Sequence, residues 1–102
     1  MHPLKVKVYF LRKMEDPKTS ELANHPFEGW MLNNMYDLVW EAEFKTLITP
    51  DLIAFKFDLE PTPFGIPFKS KVARSKLEPG DVVQIEPTYH LRLARGFREL
   101  RL

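Results

Sequence analysis

Alternation of apolar and polar residues is the clearest pattern at the start of the chain. The apolar members of residues 4–13 are Leu4, Val6, Val8 and Phe10. Successive side chains of a strand point to opposite faces of the sheet, so these four share one face and Lys5 and Lys7 share the other. The segment from Leu4 to Lys13 is therefore predicted to be a half-buried strand.

A second alternating run extends from Tyr36 to Lys45. Its aromatic and β-branched content favours a strand over a helix. The inner face is predicted to carry Leu38, Trp40, Ala42 and Phe44. Val39, Glu41 and Glu43 then take the outer face. Pairing with the first strand would place the two glutamates opposite the lysines of that strand, where each pair contributes about 0.2–1 kcal/mol.

The clearest helix start is Thr49-Pro50-Asp51. Threonine caps a helix, proline is tolerated at its first position, and aspartate complements the positive end of the helix dipole. A short helix to about Phe57 is favoured. A strand stays the alternative, because every second residue from 55 to 59 is apolar.

The C-terminal third predicts two or three antiparallel strands. Pro79-Gly80-Asp81 is a turn signal, since proline fixes φ and glycine accepts positive φ. The predicted segments are a strand over 81–85, a break at 86–88, a returning strand over 89–93, a turn at Gly96 and a short extended piece over 97–100.

The other segments are less regular. Thr19 or Ser20 could cap a short helix that ends near Ala23, before His25-Pro26. Residues 27–35 fit either a short helix or a loop that packs over the core. Four prolines and glycines in residues 61–67 predict a stiff loop, and residues 68–75 favour an edge strand whose lysines discourage pairing with another sheet.

Together these elements predict one α+β domain over residues 1–102, with a mostly antiparallel sheet of four to five strands and one or two short helices. Hydrophobic residues make up 44% of the 102-residue chain, which is typical of a globular protein. The absence of cysteine excludes disulfides, thiol catalysis and Cys-ligated metal sites. There is neither an apolar run of about 20 residues nor a secretion signal, which favours the cytoplasm.

The order of these motifs resembles a known family. A Tyr-x-Leu-Val-Trp-Glu-Ala-Glu strand (36–43) precedes a short helix, a strand with Asp-Val-Val follows (75–83), and Gly-Phe-x-Glu-Leu closes the pattern (96–100). This resembles the YodL-like domain, a small domain of bacteria and mobile elements, over about residues 36–100. The chain departs from the family at Leu77-Glu78-Pro79-Gly80, where Ser-Leu-Ser is usual. The resemblance implies a phage or mobile-element setting and a binding role, and it supplies no catalytic residue.

The residues that carry chemistry in enzymes do not form a catalytic motif here. The three histidines, His2, His25 and His90, lack the spacing of a zinc site. The carboxylate pairs, Glu41 with Glu43 and Asp58 with Glu60, are typical of a solvated face. No glycine-rich phosphate loop and no Gly-x-Ser-x-Gly turn occurs. We therefore predict a protein that is not an enzyme and needs no metal or cofactor.

The best candidate for binding is a basic segment near the C-terminus. Residues 69–102 carry eight Lys and Arg against four Asp and Glu, whereas residues 1–68 carry seven against ten. Its arginines recur at three-residue spacing and are Arg92, Arg95, Arg98 and Arg101. Residues that could extend the patch are Lys69, Lys71, Arg74 and Lys76. Guanidinium groups suit carboxylates and phosphates alike, so an acidic protein surface and a nucleic acid are both candidate partners, with a solvated segment as the plain alternative.

The second candidate surface is aromatic. It comprises Phe27, Trp30 and Met31 with Phe64, Ile66 and Phe68. These side chains either cover the core under irregular loops or form an exposed patch that docks a protein. The leading prediction is a non-enzymatic protein-interaction module, encoded by a phage or mobile element and acting on a host protein through the arginines, Trp30 and Phe64. The alternative is weak nucleic-acid binding through the basic segment.

Overall fold

The computed structural model describes residues 3–12, 29–69, 72 and 74–100. The described elements, in chain order, are strand β1 (Leu4–Leu11), helix α1 (Gly29–Met35), strand β2 (Tyr36–Phe44), helix α2 (Pro50–Leu59), a 3-10 turn (Pro63–Gly65) and strands β3 (Val82–Ile85), β4 (Thr88–Arg92) and β5 (Phe97–Leu100). The strands form one sheet in the order β2-β1-β3-β4-β5, and all neighbours are antiparallel. The predicted α+β architecture is confirmed.

Apolar clusters cover both faces of this sheet. The cluster on the first face lies under α2 and consists of Val6, Val8, Phe10, Val39, Trp40, Ile48, Ile53, Ala54, Phe57, Leu77, Val83 and Ile85. The smaller cluster on the second face lies under α1 and consists of Leu11, Met31, Tyr36, Val82, Leu91 and Leu100. Neighbours along the chain, such as Val82 and Val83, enter different clusters because side chains alternate along a strand.

Strand β1 follows its predicted pattern over Leu4–Leu11, but β2 departs from it at two residues. Lys5 is opposite Glu43 and Lys7 is opposite Glu41, as predicted. The register then shifts between Val8, which faces Trp40, and Tyr9, which faces Leu38. The extra residue is Val39, which is 4% exposed and packs in the first-face cluster beside Trp40. The assignment of Val39 to the outer face and Leu38 to the inner face was wrong, because a β-bulge reverses the alternation at that point.

Helix α2 begins where the sequence predicts and extends two residues further, to Leu59. The Thr49 hydroxyl accepts a hydrogen bond from the N–H of Leu52 at 3.2 Å. Pro50 takes the first helical position, and Glu60 ends the helix in an extended conformation. The helical prediction for this segment is confirmed.

The C-terminal strands are also confirmed, within one residue at each end. Gly80 has a φ of 99° and Gly96 has a φ of 71°, the left-handed conformation that glycine adopts without a steric penalty. Ile85 and Thr88 face each other across the turn at residues 86–87, in which the Glu86–Pro87 peptide bond is cis.

Among the less regular segments, one contains a helix, one lies outside the described residues and one lacks the predicted strand. Of residues 27–35, Gly29–Met35 is helical, and the helix predicted from Thr19 or Ser20 to Ala23 lies outside the described residues. The edge strand predicted for 68–75 was wrong, since the described residues in this range have no strand structure. The N–H of Lys69 donates to the Val39 carbonyl at 2.8 Å, and Arg74 turns toward Asp81. Within the described part of the chain, no helix has the length and apolarity to cross a membrane.

A buried ion pair anchors the turn before β3 to the sheet. Asp81 is fully buried, and its carboxylate accepts hydrogen bonds from the N–H groups of Leu11 at 2.9 Å and Glu78 at 2.8 Å. The Arg74 guanidinium donates to both carboxylate oxygens and lies 4.1 Å from the centre of the Phe10 ring. Four hydrogen bonds thus compensate the buried charge.

Candidate docking surface

The fold distributes the predicted arginines over different parts of the molecule. Arg92 is opposite Phe97 and Arg98 is opposite Leu91, which places the two arginines on opposite faces of the sheet. The Arg92 guanidinium lies 5.1 Å from the Phe97 ring centre and donates to the Gly96 carbonyl at 3.3 Å. Arg95 is exposed in the β4–β5 turn, and Arg101 lies outside the described residues. The three described arginines therefore do not form one patch.

The other cations of the basic segment are also separated. Arg74 is held by Asp81, and Lys69 lies 3.3 Å from the carboxylate of Glu41. Lys76 is exposed, and Lys71 lies outside the described residues. The C-terminal segment thus has an excess of positive charge in the sequence. In the fold, its described cations do not lie together on one surface.

In the predicted aromatic surface, Phe27 lies outside the described residues, and Trp30 and Phe64 lie on opposite sides of the sheet. Trp30 is 55% exposed on α1, whose Met31 packs in the second-face cluster. Phe64 is half-buried on the first face, where its ring centre lies 4.9 Å from that of Phe44 and 6.1 Å from that of Trp40. Trp30 and Phe64 therefore do not contribute to one contact surface.

Phe64 has an unusual backbone conformation, with a φ of 57°. Its N–H donates to the Glu60 carboxylate at 2.9 Å. A left-handed conformation is costly for a bulky residue and persists only where neighbouring contacts hold it. Here the ring packing and the bond to Glu60 hold it, so Phe64 folds back onto the core.

Helix α2 is apolar on two sides, and one of them faces away from the protein. Its inner side carries Ile53, Ala54 and Phe57, which are 0%, 6% and 1% exposed. Its outer side carries Leu52, Phe55 and Leu59, which are 37%, 55% and 63% exposed. We call these last three residues the outer stripe. Their spacing of three and four residues aligns them along one face of the helix, just after Leu47, which is 85% exposed.

The contacts on the inner side hold α2 firmly in place. The ring of Phe57 packs edge-on against those of Trp40 and Phe68, with centres 5.3 Å and 5.6 Å apart. It also lies 6.5 Å from the Phe10 ring of β1. The Thr49 cap fixes the first turn. The outer stripe is thus presented by a well-packed helix with a fixed orientation.

The two flanks of the outer stripe differ in charge. Asp51 and Asp58 are exposed and seven residues apart, which puts them on the same side of the helix about 10 Å apart along its axis. Neither makes an ion pair with any described residue. We call these two residues the acidic flank. On the opposite flank, the ammonium group of Lys56 lies 3.5 Å from Glu60 and 5.5 Å from the centre of the Phe64 ring.

The groups whose pKa departs from the ordinary value lie elsewhere. Burial raises the pKa of the Asp81 carboxyl, and the hydrogen bonds from Arg74, Glu78 and Leu11 oppose that increase. Burial also raises the pKa of Tyr36, whose hydroxyl donates to the carbonyl of Gly80. Burial lowers the pKa of His90, while Glu99 opposite it acts in the other direction. Asp81 and Tyr36 join the turn before β3 to the rest of the sheet.

Chemical groups able to hold a metal are not gathered in the described part of the chain. No group of three or more histidine and acidic side chains lies close enough together there to coordinate an ion. Every buried side-chain nitrogen and oxygen atom of the described residues has a hydrogen-bond partner. The feature that stands out is therefore the apolar outer stripe.

Sequence reasoning did not identify the outer stripe, although its signal was present. Residues 55, 57 and 59 alternate, which had suggested a strand. On a helix the same three residues divide between two sides, with Phe57 inside and Phe55 and Leu59 outside. An apolar residue on nearly every side of a short helix indicates a helix covered from two directions.

Comparison of the chain with protein-family models, curated proteins and solved structures gives no match. The resemblance to the YodL-like domain therefore stays a prediction.

Proposed function

We propose that the protein is a non-enzymatic protein-interaction module and that the outer stripe of α2 is its docking surface. The observation that carries this proposal is the set of three large apolar side chains, each at least 37% exposed, aligned on one helix face. Contiguous exposed apolar surface with a polar border is typical of sites at which proteins bind one another. Isolated exposed leucines are common on any surface, but an aligned row of them is not.

The rigidity of α2 supports the same proposal. A docking surface that is ordered before binding loses little conformational entropy when the partner arrives. Phe57 anchors the helix to the aromatic core, so Phe55 and Leu59 already have a fixed backbone position in the free protein. Phe55 and Leu59 leave more than half of their surface exposed in the folded monomer, so binding is the function that they serve best.

Quantitative affinity capture tests the proposal. The wild-type protein and the variant Phe55→Gln/Leu59→Gln are immobilised in equal amounts and exposed to lysate of the cell that produces the protein. Glutamine keeps helix propensity high and removes the apolar surface. We expect proteins that the wild type enriches to be lost from the variant, while circular dichroism shows an unchanged fold.

A second variant separates this surface from the ones predicted from the sequence. Trp30→Gln removes an apolar side chain of the same 55% exposure as Phe55, but on α1. Capture that survives Phe55→Gln/Leu59→Gln and disappears with Trp30→Gln, or with charge reversal at Arg92 or Arg98, would overturn the choice of surface. The phage or mobile-element setting and the host partner stay predictions of the resemblance.

A further inference from the structure

We infer that the segment which docks on the outer stripe is a basic amphipathic helix, with an apolar ridge that meets Leu52, Phe55 and Leu59 and with Lys or Arg on the side that meets Asp51 and Asp58. This inference names the partner of the docking surface proposed above and rests on that proposal. It depends on the shape of the surface, on its charges and on the position of Asp58.

The shape of the surface favours a helix as the occupant. The interior backbone groups of α2 pair along the helix axis, so α2 offers no edge to which an extended peptide could add as a strand. A helix satisfies its own backbone groups and brings only side chains to the contact. Residues spaced as Leu52, Phe55 and Leu59 form the kind of ridge that packs into the grooves of a second helix.

The charges of the border favour a basic occupant. The acidic flank, Asp51 and Asp58, has no ion-pair partner among the described residues. The cation on the opposite flank, Lys56, already lies beside Glu60. On α2 itself, a partner therefore meets two unpaired carboxylates, while the one lysine of the helix is already paired, and complementary charge across an interface favours binding.

The position of Asp58 points in the same direction. It lies in the last turn of α2, where the helix dipole is negative and favours a cation. In the free protein this carboxylate works against the dipole, and no described cation pairs with it. A lysine or arginine from a docked helix would compensate the charge of the Asp58 carboxylate and the negative end of the α2 dipole at once.

A second copy of the chain fits the surface less well than a basic helix. If two α2 helices packed antiparallel about a two-fold axis, each acidic flank would face its own copy. If they packed parallel, the acidic flank would face Lys56, which Glu60 already neutralises. In neither arrangement does the α2 helix of the second copy bring an unpaired cation to Asp51 or Asp58.

Two designed peptides test the inference by fluorescence anisotropy. Both have about 20 residues, long enough to be helical, and share one leucine ridge. One carries lysines beside the ridge and the other carries glutamates. We expect the wild-type protein to bind the lysine peptide about tenfold more tightly than the glutamate peptide, because the exposed charge pairs change from attraction to repulsion. Added salt should reduce the difference.

Substitutions on the acidic flank give the matched comparison. Asp51→Asn/Asp58→Asn should weaken lysine-peptide binding about three- to tenfold, which lies within the range that two exposed ion pairs provide. Asp51→Lys/Asp58→Lys should reverse the preference between the peptides. The control Glu86→Gln/Glu99→Gln removes two exposed carboxylates, one from the turn between β3 and β4 and one from β5, and should change neither affinity.

The possible results separate the two proposals. Equal binding of both peptides, abolished by Phe55→Gln/Leu59→Gln, would overturn the basic partner and leave the docking surface in place. Peptide binding that this variant does not affect, or no binding of either peptide, would overturn the inference. Sedimentation that shows a dimer of the wild-type chain, lost in the same variant, would identify a second copy as the occupant and overturn it as well.

Discussion

At the scale of single residues, Asp81 connects segments of the fold that are far apart in the sequence. Its carboxylate joins β1, through the N–H of Leu11, to the loop before β3, through Arg74 and the N–H of Glu78. Removing one partner of a buried pair leaves the other charge without compensation, which costs more than an exposed pair contributes.

We therefore expect Asp81→Asn to lower the free energy of unfolding by about 3 kcal/mol. The amide would turn donor hydrogens toward the Arg74 guanidinium, which has no lone pair to accept them. Urea unfolding followed by circular dichroism measures the loss. The control Asp37→Asn, which breaks the exposed pair with Arg12, should leave stability nearly unchanged, and equal effects of the two substitutions would contradict this role for Asp81.

His90 gives the stability of the protein a pH dependence. Burial lowers its pKa in the folded state, so on acidification the unfolded chain takes up this proton first, near pH 6.5. The contribution of neutral His90 to stability is therefore present at neutral pH and is lost as the pH falls through 6.5 toward the folded pKa.

The substitution His90→Gln should reduce the loss of stability between about pH 7 and pH 5 in urea titrations. Glu99→Gln should make the loss larger, because Glu99 raises the pKa of the His90 it faces. A pH dependence that is the same in the wild type and in His90→Gln would show that another group is responsible.

The sequence predicted the residue-level features that depend on near neighbours. Gly80 takes the positive φ that its turn signal implied, and the Thr49 hydroxyl caps α2 as predicted. The bond from Leu11 to Asp81 joins residues 70 positions apart, and no local pattern contains that information. The bulge at Val39 is equally invisible, because it depends on the register with the partner strand.

At the scale of elements, α2 separates residues that hold the fold from residues that are available to a partner. Phe57 and Phe55 are both phenylalanines on the same helix, two residues apart, but they are 1% and 55% exposed. Local signals predicted the start of this helix, since Thr49 and Pro50 act on its first turn. Which of its sides lies inside depended on the contacts with Trp40 and Phe10, which are distant in sequence.

We expect Phe57→Ala to lower the free energy of unfolding by about 4 kcal/mol, as for other buried phenylalanines. Phe55→Gln should change it by no more than about 0.5 kcal/mol, the usual range for surface positions. Guanidinium unfolding of both variants measures the contrast. A comparable loss of stability in Phe55→Gln would mean that the outer stripe serves the monomer's fold and not a partner.

Asp58 provides a test in which stability and binding change in opposite directions. Asp58→Asn removes a negative charge from the negative end of α2 and should raise the free energy of unfolding by about 0.5 kcal/mol. The same substitution should weaken binding of the lysine peptide. Thermal unfolding and anisotropy on one sample measure both, and a destabilised variant would contradict the proposed position of Asp58 against the helix dipole.

At the scale of the whole molecule, positive charge that is concentrated in one part of the sequence is dispersed among the described residues of the fold. The C-terminal third is basic, yet its described cations are divided between the two faces, engaged by Asp81 and Glu41, or isolated in a turn. Nucleic-acid binding requires such cations to follow one path along the phosphates. The positions of the described residues do not favour this alternative, whereas the outer stripe and its acidic flank lie side by side on α2.

The most direct test is the map of backbone amide chemical shifts, recorded for the free protein and for the protein saturated with the partner that affinity capture identifies. We predict that the largest shift changes fall on residues 47–60, with smaller changes on α1 and on β4 and β5. Changes concentrated on α1 around Trp30, or around Arg92 and Arg98, with residues 47–60 unaffected, would contradict docking at the outer stripe.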